Sequence, residues 1–179
     1  MPLFKKTKDE PQQNGDIILN KLKEVPFFSM FSSDVEILKK IASMCGRTTF
    51  TKGKYIIKEG DLGDELFIVL KGDIEIIKKT LQNEQYVVTT LNSDQGGINV
   101  GEIALIDNDR RSASVLAKTD CECLVITRDD FIMFGDENPT AGLAITRAIA
   151  RQLSINLRKS NTDVITLFSA LVEEISADK

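Results

Sequence analysis

The sequence predicts an α+β fold: antiparallel strands in a sandwich or small barrel, flanked by N-terminal helices and followed by a long C-terminal helix plus one terminal helix. Three observations predict it. Apolar residues recur at helical spacing before Gly46, short β-rich runs separated by Gly, Asp and Asn turns fill 47–131, and helical spacing returns from Asn138. Because no helical pattern separates the β-rich runs, their strands are expected to pair antiparallel. A chain of 179 residues, 42% of them hydrophobic, can bury one core and carry a helical appendage.

The first quarter of the chain predicts a leader and two helices. Residues 1–15 are polar and contain Pro and Gly, so a mobile leader is expected there. A short helix near 17–30 is expected to break at Pro26. Ser33 and Glu36 have the spacing of a capping box, and the apolar residues after them predict an amphipathic helix through about residue 45.

Seven short runs rich in β-branched and aromatic residues predict the strands. They comprise residues 47–53, 54–60, 65–72, 73–80, 86–92, 112–120 and 121–131. The helical pattern then resumes, with Asn138 as the cap and Pro139 as the first helical residue, and its apolar stripe ends near Lys159. A separate apolar segment, 162–176, predicts a final helix. The predicted organisation is a leader (1–15), a β-rich domain with its helices (16–160) and a C-terminal helical appendage (161–179).

Composition excludes several classes of function. The net charge is −4 and the pI is about 5.0, so no global positive field attracts nucleic acid or an anionic membrane. No apolar run is long enough to span a bilayer. The absence of histidine excludes histidine-based catalysis and imidazole metal sites, and no metal site is expected. Three cysteines without framework spacing predict a reducing, cytoplasmic compartment, with Cys121 and Cys123 as core residues on one face of a strand.

The segment GEIALIDNDRRSASV, residues 101–115, interrupts the β-rich pattern with charge. Gly101 lets the backbone approach a ligand closely, and a short helix after it would turn its N–H groups toward an anion. Arg111 offers a planar fork that suits a phosphate, and Ser112 adds a hydroxyl. Glu102 would repel a phosphate but accept hydrogen bonds from sugar hydroxyls. A phosphate and a sugar recognised within one loop indicate a nucleotide.

This segment resembles the phosphate-binding cassette of the cyclic nucleotide-binding domain family, which includes the catabolite activator protein and the regulatory subunits of cAMP-dependent protein kinase. The upstream sequence IIKEGDLGDELFIVLKGDIEI resembles the glycine-punctuated β-roll of that family. The resemblance covers roughly residues 24–160. It implies that 16–160 is a cyclic nucleotide-binding domain whose strands form an antiparallel β-roll of the jelly-roll type. Three features depart from the family pattern: Val100 replaces a frequent aromatic residue, Arg110 replaces a frequent proline, and the loop NSDQGGIN (92–99) is long.

The resemblance implies a role for each matched position. Glu102, together with Gly101, would bind the ribose 2′-hydroxyl. The cyclic phosphate would be bound by Arg111, Ser112, the small Ala113, and the backbone of Ile103 and Ala104. The base would lie against the strand near Val88 and Leu91 and under the long helix, at Leu153, Asn156 and Leu157. The alternative for the charged pair is a ligand-free surface salt bridge between Glu102 and Arg111.

The sequence therefore predicts a cyclic mononucleotide sensor, with cAMP favoured over cGMP, in which the helix after the β-roll closes over the ligand. The alternative is a protein-interaction domain on the same fold that has lost nucleotide binding. The sequence shows no enzyme motif, and the segment after Lys159 is too short and too poor in basic residues for a DNA-binding helix-turn-helix. The apolar face of 162–176 predicts a homodimer or an effector protein bound through the C-terminal helices.

Overall fold

The computed structural model describes residues 12–107 and 109–177, and in these residues eight strands form two antiparallel sheets. The strands are β1 (Gly46–Phe50), β2 (Tyr55–Ile57), β3 (Glu65–Lys71), β4 (Asp73–Lys79), β5 (Gln85–Asn92), β6 (Ile98–Val100), β7 (Ser114–Ala117) and β8 (Cys121–Thr127). One sheet has the order β1-β8-β3-β6 and the other the order β2-β7-β4-β5. The predicted antiparallel roll is confirmed, although the sequence pattern missed the short strand β6.

The sheet that contains β3 is buried on both of its faces. Side chains alternate along a strand, so Phe67 and Val69 point into the roll while Leu66 and Ile68 point toward the helices. The roll interior also takes Cys121 and Cys123, which are buried as predicted. Burial raises the pKa of the Cys123 thiol to about 12, so this side chain is an unreactive core residue. The helices thus pack on one outer face of the roll and leave the second sheet accessible.

The N-terminal helices are α1 (Gln12–Glu24) and α2 (Val35–Met44). Helix α1 begins earlier than predicted and includes residues 12–15, which the sequence had placed in the leader; residues 1–11 lie outside the described part of the chain. It ends before Pro26, as expected. The predicted Ser33–Glu36 capping box is wrong by one position. The cap of α2 is Asp34, whose carboxylate accepts the Ile37 N–H at 3.1 Å.

Helix α3 (Arg128–Glu137) was missed, because residues 128–131 were read as the end of a strand. The chain turns at Thr127, whose hydroxyl oxygen accepts the Asp130 N–H at 3.1 Å and so caps α3. Asn138 does not cap the next helix with its side chain. Its amide donates to the Phe134 carbonyl at 3.1 Å and accepts from Lys40 at 2.7 Å, which closes α3 instead.

Helix α4 runs without a break from Pro139 to Ala177, so the predicted end near Lys159 and the separate final helix are wrong. The sequence contains neither Gly nor Pro after Gly142, and the Thr162 hydroxyl donates to the Arg158 carbonyl one turn back. The predicted apolar stripe is confirmed in the first part of the helix, where Ala141, Ile145 and Ile149 are buried. Every residue from 154 to 176 is exposed. The proposed division at residues 160 and 161 therefore falls inside one helix and stays a prediction.

Candidate functional site

The cassette starts at the end of β6 with a turn that only glycine fits well. Gly101 has φ of 86°, and a Cβ there would lie 2.6 Å from Nη1 of Arg111 and 2.8 Å from the Glu65 carbonyl oxygen. A short 3-10 helix, Glu102–Leu105, follows and is anchored by the buried side chains of Ala104 and Leu105. The loop then returns through Asp109 to β7. The sequence predicted that the backbone at Gly101 can approach a ligand closely, and the structure shows that the turn brings Gly101 against Arg111.

Arg111 is buried at the base of this loop, with only 8% of its surface exposed. Its Nη1 donates to the Glu65 carbonyl at 2.8 Å, and its Nη2 donates to Oε2 of Glu65 at 2.8 Å. Gly63 packs on the guanidinium, because a Cβ there would lie 2.6 Å from Nε. Backbone bonds fix the position further: the Arg111 N–H donates to the Asp61 carbonyl, and its carbonyl accepts the Gly60 N–H, both at 2.9 Å. The arginine fork is thus oriented before any ligand arrives.

Burial and Glu65 act on Arg111 in opposite directions. Desolvation by burial lowers the pKa of Arg111 from its ordinary value, while the charge and hydrogen bond of Glu65 raise it again. A guanidinium stays protonated despite such a shift. A cation so poorly hydrated gains more from an added anion than an exposed arginine would.

The ligand-free salt bridge between Glu102 and Arg111, the alternative raised by the sequence, is not what the structure contains. Arg111 pairs with Glu65, and no hydrogen bond or ion pair in the described part of the chain engages the Glu102 carboxylate. Glu102 instead lines a cleft beside Arg111. Its acceptor oxygens therefore remain available for hydroxyl groups.

A cleft of about 320 Å³ lies in front of Arg111, which is within the usual size range of small-molecule sites. The predicted residues that line it are Gly101, Glu102, Ile103, Ala104, Arg111, Ser112, Ala113, Leu91 and Asn156. The structure thus brings together all seven predicted residues of the cassette. The backbone N–H of Ala104 already donates to the Gly101 carbonyl at 3.1 Å, so a phosphate would have to share that donor.

Fewer of the residues that were predicted to contact the base lie at the cleft than of the predicted cassette residues. Val88 is half exposed on β5 and does not line it. Leu153 packs against the helical core, and Leu157 points to solvent with 63% of its surface exposed. Of the three residues predicted on the long helix, only Asn156 reaches the cleft.

Sequence reasoning missed the apolar wall and the partner of Arg111. The apolar wall consists of Ile57 on β2, Ile76 on β4 and Val115 on β7. The alternation of apolar residues along those strands was the only sequence signal that could have predicted it. The partner of Arg111 is Glu65, the first residue of β3. Its distance in sequence from Arg111 gives no sign of their pairing, which only the β3 position reveals.

Two basic residues outside the cleft hold the cassette in place. Arg128, at the start of α3, donates from Nε to the Ala104 carbonyl at 2.8 Å and from Nη2 to the Asp107 carbonyl. Lys21 of α1 donates to the Ser93 carbonyl at 2.5 Å, and so anchors the long loop that leads into β6. Arg110, which replaces a frequent proline of the resembled family, lines the cleft, is exposed and donates to the Gly60 carbonyl at 2.6 Å. The cassette is therefore tied to α3, and the loop that leads into β6 is tied to α1.

The described residues contain no group of three or more acidic, cysteine or histidine side chains arranged to hold a metal ion. Within the same part of the chain, no helix is both long and apolar enough to cross a membrane. The site combines a buried arginine, the Glu102 carboxylate and an apolar wall, and Asp107, Asp109 and the exposed Arg110 also line the cleft. A compact anion that carries a sugar and a planar apolar group fits these three elements.

The fold and the site define a ligand-binding β-roll with an anion-binding cassette. A sequence profile described as the cyclic nucleotide-binding domain matches residues 47–138. The chain belongs to the cyclic nucleotide-binding domain family, whose domain is a regulatory module and not a catalytic one.

Three relatives illustrate the likeness. The chain is 40% identical over 96 residues to cGMP-dependent protein kinase 2 of Homo sapiens, covering 52% of this chain and 12% of the kinase. It is 34% identical over 110 residues to the cAMP-dependent protein kinase regulatory subunit of Emericella nidulans, covering 62% and 25%. The catabolite activator protein of Thermus thermophilus superposes with a TM-score of 0.65 at 27% identity, covering 74% of this chain and 59% of that one. The chain spans a quarter or less of the two kinase-related proteins.

Proposed function

We propose that the protein is a sensor of a cyclic mononucleotide and that its cleft takes the ligand with the phosphate at Arg111. The observation that carries this proposal is the oriented, buried guanidinium of Arg111 beside the Glu102 carboxylate. Ser112, Ala113 and the backbone of Ile103 and Ala104 complete the phosphate side, while Glu102 and Gly101 take the ribose. An intact pair of one arginine and one carboxylate suits one phosphate and one ribose.

The base is proposed to lie on the apolar wall formed by Leu91, Ile57, Ile76 and Val115, with Asn156 at its edge. cAMP is the proposed preferred ligand over cGMP. Guanine has a carbonyl, a ring N–H and an exocyclic amine that all require partners, and an apolar wall offers few of them. Ser112 is the counterargument, because it lines the cleft and its hydroxyl can hydrogen-bond a guanine. The relatives named above include proteins called after each nucleotide.

The output is proposed to come from α4, which moves over the ligand and so changes the population of two states. Support comes from the incomplete base side: Asn156 reaches the cleft, while Leu153 and Leu157 do not. A small rotation or bend of the helix would bring them nearer. The partner that receives this signal, a second copy of the chain or an effector protein, stays a prediction, as does the cytoplasmic location.

Isothermal titration calorimetry of the full chain with cAMP and cGMP tests the function, with 5′-AMP as the matched non-cyclic control. We expect saturable binding of a cyclic nucleotide at micromolar concentrations or below, and much weaker binding of 5′-AMP. A tighter dissociation constant for cGMP than for cAMP would reverse the base preference but leave the sensor intact. No heat and no thermal shift at millimolar ligand would favour the interaction domain that has lost its nucleotide.

A further inference from the structure

A groove of about 300 Å³ lies beside α4, where the helix passes the turn between α1 and α2. The turn provides one wall with Pro26, Phe27 and Met30, and α4 provides the other with Ala148 and Ile155. Met30 and Ile155 are exposed over 46% and 51% of their surfaces. This groove, which we call the α4 groove, therefore offers apolar contact area that the described fold leaves open.

A row of three arginines runs along α4 beside this groove. Arg147, Arg151 and Arg158 are separated by four and seven residues, so they lie on one face of the helix and span about 16 Å of its axis. All three are exposed, and Arg151 itself lines the groove. Ile155 follows Arg151 by four residues, which makes the two side chains neighbours on the helix surface. The cationic row and the apolar wall are thus side by side.

The arginine row has no acidic partner in the described part of the chain. Within residues 12–107 and 109–177, none of the three guanidinium groups takes part in an ion pair or hydrogen bond. The sequence explains this, because no Asp or Glu occurs between Glu137 and Asp163. The whole chain has a net charge of −4. The α4 groove is therefore a local cationic surface on an acidic protein.

We infer that the α4 groove docks an acidic amphipathic helix of a partner protein. Apolar side chains of that helix enter between Met30 and Ile155, and its carboxylates pair with the arginines, whose planar forks suit them. A straight row at helical spacing fits recognition of a helix, whose contact residues also recur every three, four and seven positions. Apolar contact and charge complementarity specify the same occupant.

The same two features disfavour other occupants. A two-fold contact of this surface with its own copy would set arginine against arginine. A nucleic acid would leave Met30 and Ile155 without apolar contacts. Both a nucleic acid and an anionic membrane would also meet the net charge of −4 on the chain.

The α4 groove is separate from the nucleotide cleft. Gln152 lines the groove and Asn156 lines the cleft, and the two side chains meet in one hydrogen bond, from Nε2 of Gln152 to Oδ1 of Asn156 at 3.0 Å. The docking therefore does not depend on the proposed function. A chain that binds no nucleotide would still take the acidic helix.

Selection from a phage library of random peptides, each about 16 residues long, tests the docking with the full chain as bait. We expect the enriched peptides to carry Asp or Glu at helical spacing beside a stripe of Leu, Ile or Phe. Arg151→Glu with Arg158→Glu should weaken a selected peptide by about tenfold or more, because carboxylates then face carboxylates. The matched control, Lys52→Glu with Lys78→Glu, makes the same change of charge at exposed lysines outside α4 and should bind within about twofold. No enriched peptide, enriched peptides without acidic residues, or equal losses in the two double variants would overturn the inference.

A second pair of variants tests the apolar wall. Ile155→Gln should weaken the selected peptide several-fold, whereas Leu157→Gln, an equally polar change at a residue that is exposed but does not line the groove, should not. Complete displacement of the peptide by cAMP would place it in the nucleotide cleft and overturn the assignment. If the arginine double variant instead loses binding to single-stranded RNA or to phosphatidylserine vesicles, or changes self-association, while no acidic peptide is enriched, the occupant is a different one and the inference is wrong.

Discussion

On the proposed phosphate side of the cleft, Arg111 is held by the carbonyl and carboxylate of Glu65, and Gly63 and Gly101 pack closely on its guanidinium. On the proposed base side, Leu91 and Asn156 reach the cleft, but Val88, Leu153 and Leu157 remain outside it. The first region is assembled by strands that pair whether or not a ligand is bound. The second needs a helix, α4, that no strand fixes. Affinity should therefore come mainly from the preformed side, and the conformational response from the other.

The largest expected effect is the loss of Arg111. Arg111→Ala removes a charge-assisted bidentate contact and should weaken cyclic nucleotide binding by about 2–4 kcal/mol, measured by calorimetry. Arg110→Ala is the matched control: Arg110 also lines the cleft, but it is exposed and its Nη1 donates to the Gly60 carbonyl. It should bind within a few-fold of the wild type. Binding of Arg111→Ala within twofold of wild type would contradict the phosphate assignment, and reversed losses would place the cassette out of register by one.

A change at Glu65 tests the preformed side more specifically, because the Glu65 carboxylate pairs with the Arg111 guanidinium when no phosphate is present. Glu65→Gln leaves the buried guanidinium without its counter-charge and should destabilise the ligand-free protein by about 1–3 kcal/mol. A bound phosphate replaces that charge, so cAMP should raise the melting temperature of Glu65→Gln more than that of the wild type. Thermal unfolding with and without ligand measures both. A smaller ligand-induced shift in the variant would mean that Glu65 orients Arg111 more than it compensates its charge.

A change at Glu102 tests the proposed ribose contact, which lies between the proposed phosphate and base sides of the cleft. Glu102→Gln should weaken cAMP by about 1 kcal/mol, because an amide oxygen is a weaker acceptor for the 2′-hydroxyl than a carboxylate. The affinity for 2′-deoxy-cAMP should hardly change. The two ligands and two proteins form a cycle that isolates the single contact. Equal losses for both ligands would assign Glu102 to the shape of the loop instead of the ribose.

The same contrast explains which features the sequence could predict. The cassette spans consecutive residues, 101–115. The spacing of Gly101, Glu102 and Arg111 was therefore enough to predict nearly all the residues of the proposed phosphate side. Glu65 lies 46 residues from Arg111, and only the position of β3 beside the cassette brings them together. The base contacts depend on the direction of α4 after Pro139, which periodicity alone does not give. For the same reason the continuity of α4 was missed: the buried apolar residues before Lys159 pack on the domain, those after it lie on another face and are exposed, and the helix itself does not end.

Asn156 gives the smallest expected effect and the most direct test of the base side. It is the one residue of the helix predicted to touch the base that lines the cleft, and its Oδ1 accepts from Gln152 at 3.0 Å. Asn156→Ala should weaken cAMP by about 0.5–1 kcal/mol, the net value of one hydrogen bond. Ser154→Ala is the matched control on the same helix, because the Ser154 hydroxyl donates to the Ala150 carbonyl and lies outside the cleft. Ribose 3′,5′-cyclic phosphate, which has the phosphate and sugar but no base, should bind wild type and Asn156→Ala equally, since its contacts all lie on the preformed side. If Asn156→Ala instead weakens both ligands alike, the side chain acts through the position of α4, and the base would have to be held by the apolar wall alone.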